Sequence, residues 1–174
     1  MATLPQRTRP AQCKPIERWN QPIVIYVTVC TKDRRSFLAN DLLHDLLRRA
    51  WIAADAWRVG YYMIMPDHVH FFCTPGRMPV YNLKMWLAYW KRIATLSIYD
   101  GGLSAFLDKA ATVDGDLPRR HGIVWGRDGW DTQVRSFDHY TAKLAYAQAN
   151  PVRKGLVATS REWRYQGYIN DALW

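Results

Sequence analysis

The sequence predicts an α+β fold built on one antiparallel sheet with helices on one face. Three observations point there. Runs rich in β-branched and aromatic residues recur at 23–31, 59–65 and 69–74. The last two are separated only by a short turn around Pro66-Asp67, which makes them an antiparallel hairpin. Segments of helical periodicity alternate with these runs in the order strand, helix, strand, strand, helix, strand. At 174 residues, the chain is long enough for one domain with a proper core and too short for two comfortable ones.

Residues 1–22 carry Pro5, Pro10, Pro15 and Pro22 among Arg7, Arg9, Lys14 and Arg18. They read as a basic, flexible N-terminal arm, with the folded domain over 23–174. Ile23 to Thr31 is the first strand, and the charged loop Lys32-Asp33-Arg34-Arg35 follows. Asp41 to Trp57 is helical, with apolar residues at Leu42, Leu43, Leu46, Leu47, Ala50 and Ala54. Val59 to Met65 and Val69 to Thr74 form the hairpin. Pro79 opens a second helix to about Ile98, with Leu83, Leu87, Trp90, Ala94 and Ile98 on its apolar stripe and Lys84, Lys91 and Arg92 off it. Residues 100–122 read as a mobile basic loop with a short helix around 105–111. Ile123 to Trp125 and Thr132 to Arg135 form a fourth strand or two strand fragments. Ser136 is an N-cap for a last helix from Phe137 to Ala149 or Asn150, where Pro151 is expected to end it. With this order the sheet is of ferredoxin-like type.

The net charge of +9 points to a polyanionic partner such as nucleic acid, and nine tryptophans and ten tyrosines add stacking surfaces that single-stranded nucleic acid can use, although most of these rings are expected in the core. A hydrophobic content of 49% excludes a disordered chain. Cys13, Cys30 and Cys73 are too widely spaced for a disulfide framework and read as reduced thiols of a cytoplasmic protein. No apolar run approaches membrane-spanning length, and the first residues lack the apolar core of a signal peptide, so no membrane partner is expected.

The chemistry concentrates in Met65-Pro66-Asp67-His68-Val69-His70-Phe71-Phe72. Residues i and i+2 of a strand share a face, so His68 and His70 present two imidazoles side by side. Such a pair is half of a metal site, or two ordinary strand histidines with hydrogen-bonded rings; the rest of the chain decides between these. In the last helix, Phe137, Tyr140, Leu144 and Ala147 or Gln148 form the apolar stripe. Tyr146 lies two residues past Leu144, about 200° round the helix, so it points away from that stripe. His139, Lys143 and Asn150 share its face, Asn150 one turn on.

The stretch Met65 to Phe72 resembles the Met-Pro-Asn-His-Val-His pattern of REP-associated and insertion-sequence single-tyrosine transposases, members of the histidine-hydrophobe-histidine (HUH) endonucleases. Tyr146-Ala147-Gln148-Ala149-Asn150-Pro151-Val152-Arg153-Lys154-Gly155-Leu156-Val157 is similar to that family's Tyr-Ile-x-x-Asn-Pro-Val-x-x-Gly-Leu-Val. Trp125, Asp131 and Arg135 match its Trp…(Asp/Glu)-His-x-x-Arg block in spacing, and Arg34 to Phe37 and Glu162 to Tyr165 also fit. The resemblance covers most of residues 20–166. Thr132 stands where the family often has His, Ala147 replaces a branched apolar residue, and residues 101–122 look longer than usual.

The resemblance implies an HUH-type single-stranded DNA transesterase with Tyr146 as nucleophile. It implies Mg²⁺ or Mn²⁺ held by His68 and His70, with Asn150 as third ligand. It further implies hairpin DNA as partner, a nucleoid-associated place of work, and either a monomer completing its site in cis or a homodimer completing it in trans. Lys84, Lys91, Arg92, Arg119, Arg120, Arg127, Arg135, Arg153 and Lys154 are candidate phosphate contacts. Three other readings stay open. One is a DNA-binding module without catalysis. Another is a nucleotide hydrolase or transferase of histidine-triad type, which needs a further histidine where Phe72 stands. The last is a zinc site from His68, His70 and Cys73.

Overall fold

The computed structural model describes residues 22–98 and 124–170, together with Pro15. The N-terminal arm and the loop of residues 100–122 with its short helix therefore lie outside the described residues, as do Arg119 and Arg120 and the side chain of Arg127. In chain order the elements are β1 (Ile25–Thr31), a 3-10 turn (Lys32–Arg34), α1 (Asp41–Ala53), β2 (Trp57–Met65), β3 (His68–Pro75), α2 (Leu83–Ile98), β4 (Trp125–Gln133), α3 (Phe137–Arg153), a second 3-10 turn (Ser160–Glu162) and β5 (Gln166–Tyr168). The sheet order is β4-β1-β3-β2-β5, and every neighbouring pair is antiparallel. The mixed α+β sheet is the one the sequence predicts, with the central β1 and β3 at its heart. No helix of the described residues is long and apolar enough to cross a membrane.

Strand alternation sorts the sheet into two faces. Val27, Val29, Val69, Phe71 and Cys73 face α1 and α2, where Leu43, Leu47, Trp51, Trp86 and Trp90 close the larger core. Each of these large side chains contributes about 1.5–3 kcal/mol by leaving water. Tyr26, Met63, Met65 and Phe72 point the other way and pack against Tyr140, Leu144 and Ala147 of α3. Helices on one face thus describes α1 and α2; α3 covers the opposite face, and it brings Tyr146 with it.

The structure moves several boundaries. The first helix ends at Ala53, and Trp57 instead opens β2, its buried indole donating to the Tyr81 carbonyl at 2.8 Å. The second helix starts at Leu83, because Asn82 accepts from the Met85 amide as a cap. The two fragments flanking Gly126 and Gly129 join into one strand along β1, with a register shift between Val29 and Thr31. At Gly129 a Cβ would sit 3.3 Å from the Leu87 and Val29 side chains, so glycine lets α2 approach closely.

The last helix runs through Pro151 to Arg153. Proline forfeits one backbone donor, but the turn survives. The true end is marked by Gly155 at φ 67°, whose amide donates to the Val152 carbonyl while the Leu156 amide donates to that of Pro151. This is a Schellman cap, and glycine fits its left-handed position. Phe137, expected on the stripe, is exposed; the stripe begins at Tyr140, whose ring sits 4.5 Å from that of Phe72. The short β5 was not expected from the sequence. It pairs with the edge of β2 after Trp163 anchors the chain by donating to the Ile64 carbonyl at 2.9 Å.

Candidate active site

β1 and β3 lie side by side with Thr28 opposite His70 and Cys30 opposite His68. The odd-even alternation turns Val69 into the α1/α2 core and both histidines toward α3. The two imidazoles are buried, and their Nε2 atoms face each other at 3.1 Å. Their outer nitrogens are engaged. His70 Nδ1 meets the Thr28 hydroxyl at 2.8 Å, and His68 Nδ1 meets the Asp67 carboxylate at 2.6 Å. A carboxylate only accepts when ionised, so His68 carries its proton on Nδ1 and turns a bare Nε2 inward.

Asp67 stands where the resembling pattern carries asparagine, and it is itself held. Arg34 Nε pairs with its second oxygen at 2.9 Å, while Nη1 of the same guanidinium donates to Cys30 Sγ at 2.7 Å. Arg34 reaches back because Asp33 and Arg34 adopt left-handed backbone at φ 55° and 56°. That conformation costs about 1–2 kcal/mol per residue outside glycine, and here it brings a cation against the carboxylate behind His68.

α3 supplies the other side. Tyr146 is 40% exposed, and its ring centroid lies 6.1 Å from that of His70. One turn on, Asn150 is 4% exposed, its amide nitrogen donating to the Tyr146 carbonyl at 3.4 Å. The Arg153 guanidinium covers the Tyr146 ring at 4.6 Å, and the Lys143 ammonium lies 5.5 Å from the centre of the Tyr26 ring. Tyr26 stacks on His70 at 5.5 Å with an interplanar angle of 15°.

Burial pushes the pKa of His70 well below the ordinary histidine value, and the charge of His68 adds to this; burial also lowers His68, against the pull of Asp67. Both shifts favour the neutral ring, the state in which imidazole donates a lone pair. In the unfolded chain these histidines protonate near 6.5, so below that pH the unfolded state binds more protons than the folded one. Stability is full above about 6.5 and falls as the pH drops below it. The melting temperature of the metal-free protein is expected to fall between about pH 7.5 and 5.5. His44 and His139 shift the same way, so the contribution of the pair is read as the flattening of that slope in His70→Gln.

Among the described residues no cluster of three His, Cys, Asp or Glu side chains stands together as a metal cage. The donor set present is two imidazoles on β3 and one amide on α3. It fits a divalent ion: the His68 and His70 Nε2 atoms converge at 3.1 Å, and their outer nitrogens are already held by Asp67 and Thr28, as those of ligating imidazoles are. The zinc set of His68, His70 and Cys73 is excluded, because Cys73 is fully buried on the other face of the sheet among α1 and α2. Loss of the Asp67 charge is expected to weaken Mn²⁺ binding by roughly tenfold in Asp67→Asn, measured by titration calorimetry, because carboxylates behind ligating histidines raise their basicity.

The basic residues divide. Arg153 and Lys154 stand at the site, Lys154 acting on His68 through its charge. Arg34 and Lys143, absent from the sequence-based set of phosphate contacts, also act on His70. Lys84, Lys91 and Arg92 belong to α2, across the sheet from the histidines, and Lys91 donates to the Gly126 carbonyl at 3.0 Å. Arg135 flanks the start of α3, its amide donating to His139 Nδ1 at 3.4 Å. Sequence reasoning also missed Thr28 and Tyr26. The signal was there: both share parity with Cys30 on a strand that pairs with His68-Val69-His70.

No family model matches the chain, and no curated protein does. Solved structures do. A REP-associated tyrosine transposase bound to a REP hairpin matches with a TM-score of 0.62 at 17% identity, over 89% of this chain and 82% of that one. A candidate transposase from Deinococcus radiodurans R1 matches with a TM-score of 0.50 at 18% identity, over 79% of this chain and 97% of that one. At these identities the likeness establishes the fold, and the chain takes the same mixed α+β architecture as these transposase structures.

Proposed function

We propose that this protein is a transposase-type DNA transesterase that cuts and rejoins single-stranded DNA at hairpins through a covalent Tyr146 intermediate. The observation that carries the reading is the placement of Tyr146, on a helix that seats it against the converging His68 and His70 of its own chain, with buried Asn150 one turn behind. The hairpin-bound structural neighbour supports the choice of DNA over other polyanions. The nucleoid is then its place of work, and a single chain supplies the whole site in cis.

His68 and His70 would hold a Mg²⁺ or Mn²⁺ ion through Nε2, with the Asn150 side-chain oxygen as third donor. When bound, the ion supplies Lewis-acid neutralisation of the charge on the scissile phosphate. Imidazole donors favour Mn²⁺. The Tyr146 hydroxyl oxygen gives its proton to solvent, attacks phosphorus and forms the tyrosine–phosphate bond as the bond from phosphorus to the 3′ oxygen breaks, and that oxygen takes a proton from solvent. One strand end leaves as a free 3′-hydroxyl, and the other stays on the enzyme as a 5′-phosphotyrosine. One phosphodiester replaces another, so a second 3′-hydroxyl can reverse the step without ATP. Arg153, Lys154, Lys143 and Arg34 bring positive charge around a site that receives a phosphate.

The test is a denaturing gel. Labelled hairpins with single-stranded flanks of varied sequence, incubated with the protein and Mn²⁺, are expected to yield a covalent protein–DNA band that EDTA abolishes. Tight hairpin binding with no band on any substrate would leave a binding module instead.

A further inference from the structure

The site contains one polar group that the chemistry above does not use. Tyr26 is 5% exposed, and its hydroxyl is buried with no hydrogen-bond partner within 3.5 Å among the described residues. A buried donor left unpaired is costly, and native proteins rarely keep one without a use. Its ring is fixed on both sides. One face stacks on His70, Lys143 approaches the ring at 5.5 Å, and Phe72 abuts it at 5.0 Å. Thr28, its neighbour on the same strand face, has its hydroxyl 2.8 Å from His70 Nδ1 and gives the phenol oxygen only a weak hydrogen bond, which leaves the phenol hydrogen without an acceptor. The His70 ring on which Tyr26 stacks is the one that Tyr146 meets at 6.1 Å, with the Arg153 guanidinium over the Tyr146 ring at 4.6 Å. The buried hydroxyl thus belongs to a ring held by His70, Lys143 and Phe72 beside the nucleophile's histidine, with an acceptor for its hydrogen missing.

We propose that the Tyr26 hydroxyl is a substrate-binding donor, which gives its hydrogen bond to a non-bridging oxygen of the phosphodiester that Tyr146 attacks. The proposal rests on the DNA transesterase reading. The phosphate must reach Tyr146 and the inward side of His70 together, and Tyr26 is stacked on that histidine. An anionic oxygen is the acceptor that this surrounding lacks, and a hydrogen bond to a charged oxygen is stronger than one between neutral groups. The hydroxyl is therefore a preorganised donor whose cost is carried in the free protein and relieved in the complex.

This assignment gives a signature that a packing role does not. Tyr26→Phe removes the hydroxyl alone and keeps the stack on His70. The variant is expected to melt at or above the wild-type temperature, because the unpaired donor is gone. It is also expected to form the covalent adduct on the labelled hairpin about tenfold more slowly in single-turnover reactions with Mn²⁺. An unchanged rate would overturn the proposal, whatever the melting temperature. A slower rate accompanied by a lower melting temperature would overturn it too, since the hydroxyl would then be structural. Tyr146→Phe run alongside separates the two levels. Adduct persisting there removes the transesterase reading itself, whereas adduct lost there but undiminished in Tyr26→Phe removes only this inference.

Discussion

Tyr146→Phe is expected to lose covalent adduct formation by on the order of a thousandfold or more, because deleting a nucleophile removes the reaction path rather than weakening it. The substitution is gentle on the structure. Phenylalanine keeps the ring that Arg153 covers at 4.6 Å and that meets His70 edge-on at 6.1 Å. The phenol is 40% exposed, so the change in stability is expected to stay within about 0.5 kcal/mol. Hairpin binding, measured by gel shift, is expected to persist, because Arg153, Lys154 and Lys143 all remain. Loss of adduct with retained binding and an unchanged melting curve is the pattern that separates a nucleophile from a packing tyrosine.

His70→Ala is expected to be the more damaging change overall. It removes one of the two Nε2 atoms that converge at 3.1 Å, so Mn²⁺ binding measured by calorimetry should weaken more than a hundredfold and adduct formation should fall with it. The side chain is 5% exposed, stacks on Tyr26 and meets Thr28. Truncation removes the His70 partner of the Thr28 hydroxyl and opens a void in the sheet face, at a cost of about 1–3 kcal/mol. His70→Gln fills more of the void, so a shared loss of Mn²⁺ binding in both variants assigns the effect to the imidazole nitrogen rather than to collapse of the site. Wild-type affinity for Mn²⁺ in His70→Ala would remove His70 as a ligand.

Much of this arrangement was legible in the chain because it depends on period. Alternation placed His68 and His70 on one face of β3, and the helical repeat placed Tyr146 and Asn150 one turn apart, off the stripe of Tyr140, Leu144 and Ala147. Both patterns survive folding because each is set by local backbone geometry. What was not legible depends on contacts between distant segments. Arg34 reads as loop charge, and only the left-handed turn at Asp33 and Arg34 carries it to Asp67. Lys84 and Arg92 look like phosphate contacts in sequence, but the sheet lies between them and the histidines. Pro151 masked the true end of α3, which a cap at Gly155 and Leu156 decides. Phe137 keeps the helical spacing yet lies beyond the edge of the surface that α3 covers. Which face of the sheet α3 occupies is likewise a tertiary matter, and it is the step that turns two separate motifs into one site.

The central claim is that Tyr146 becomes covalently joined to DNA. It is tested most directly by trapping the protein on a hairpin oligonucleotide with Mn²⁺, digesting both components and locating the modified peptide by mass spectrometry. Trypsin releases Leu144 to Arg153 as one peptide. That peptide is expected to carry a 5′-linked nucleotide phosphate on Tyr146. A nucleotide found on any other residue, or cleaved DNA with no protein-linked intermediate, would contradict it.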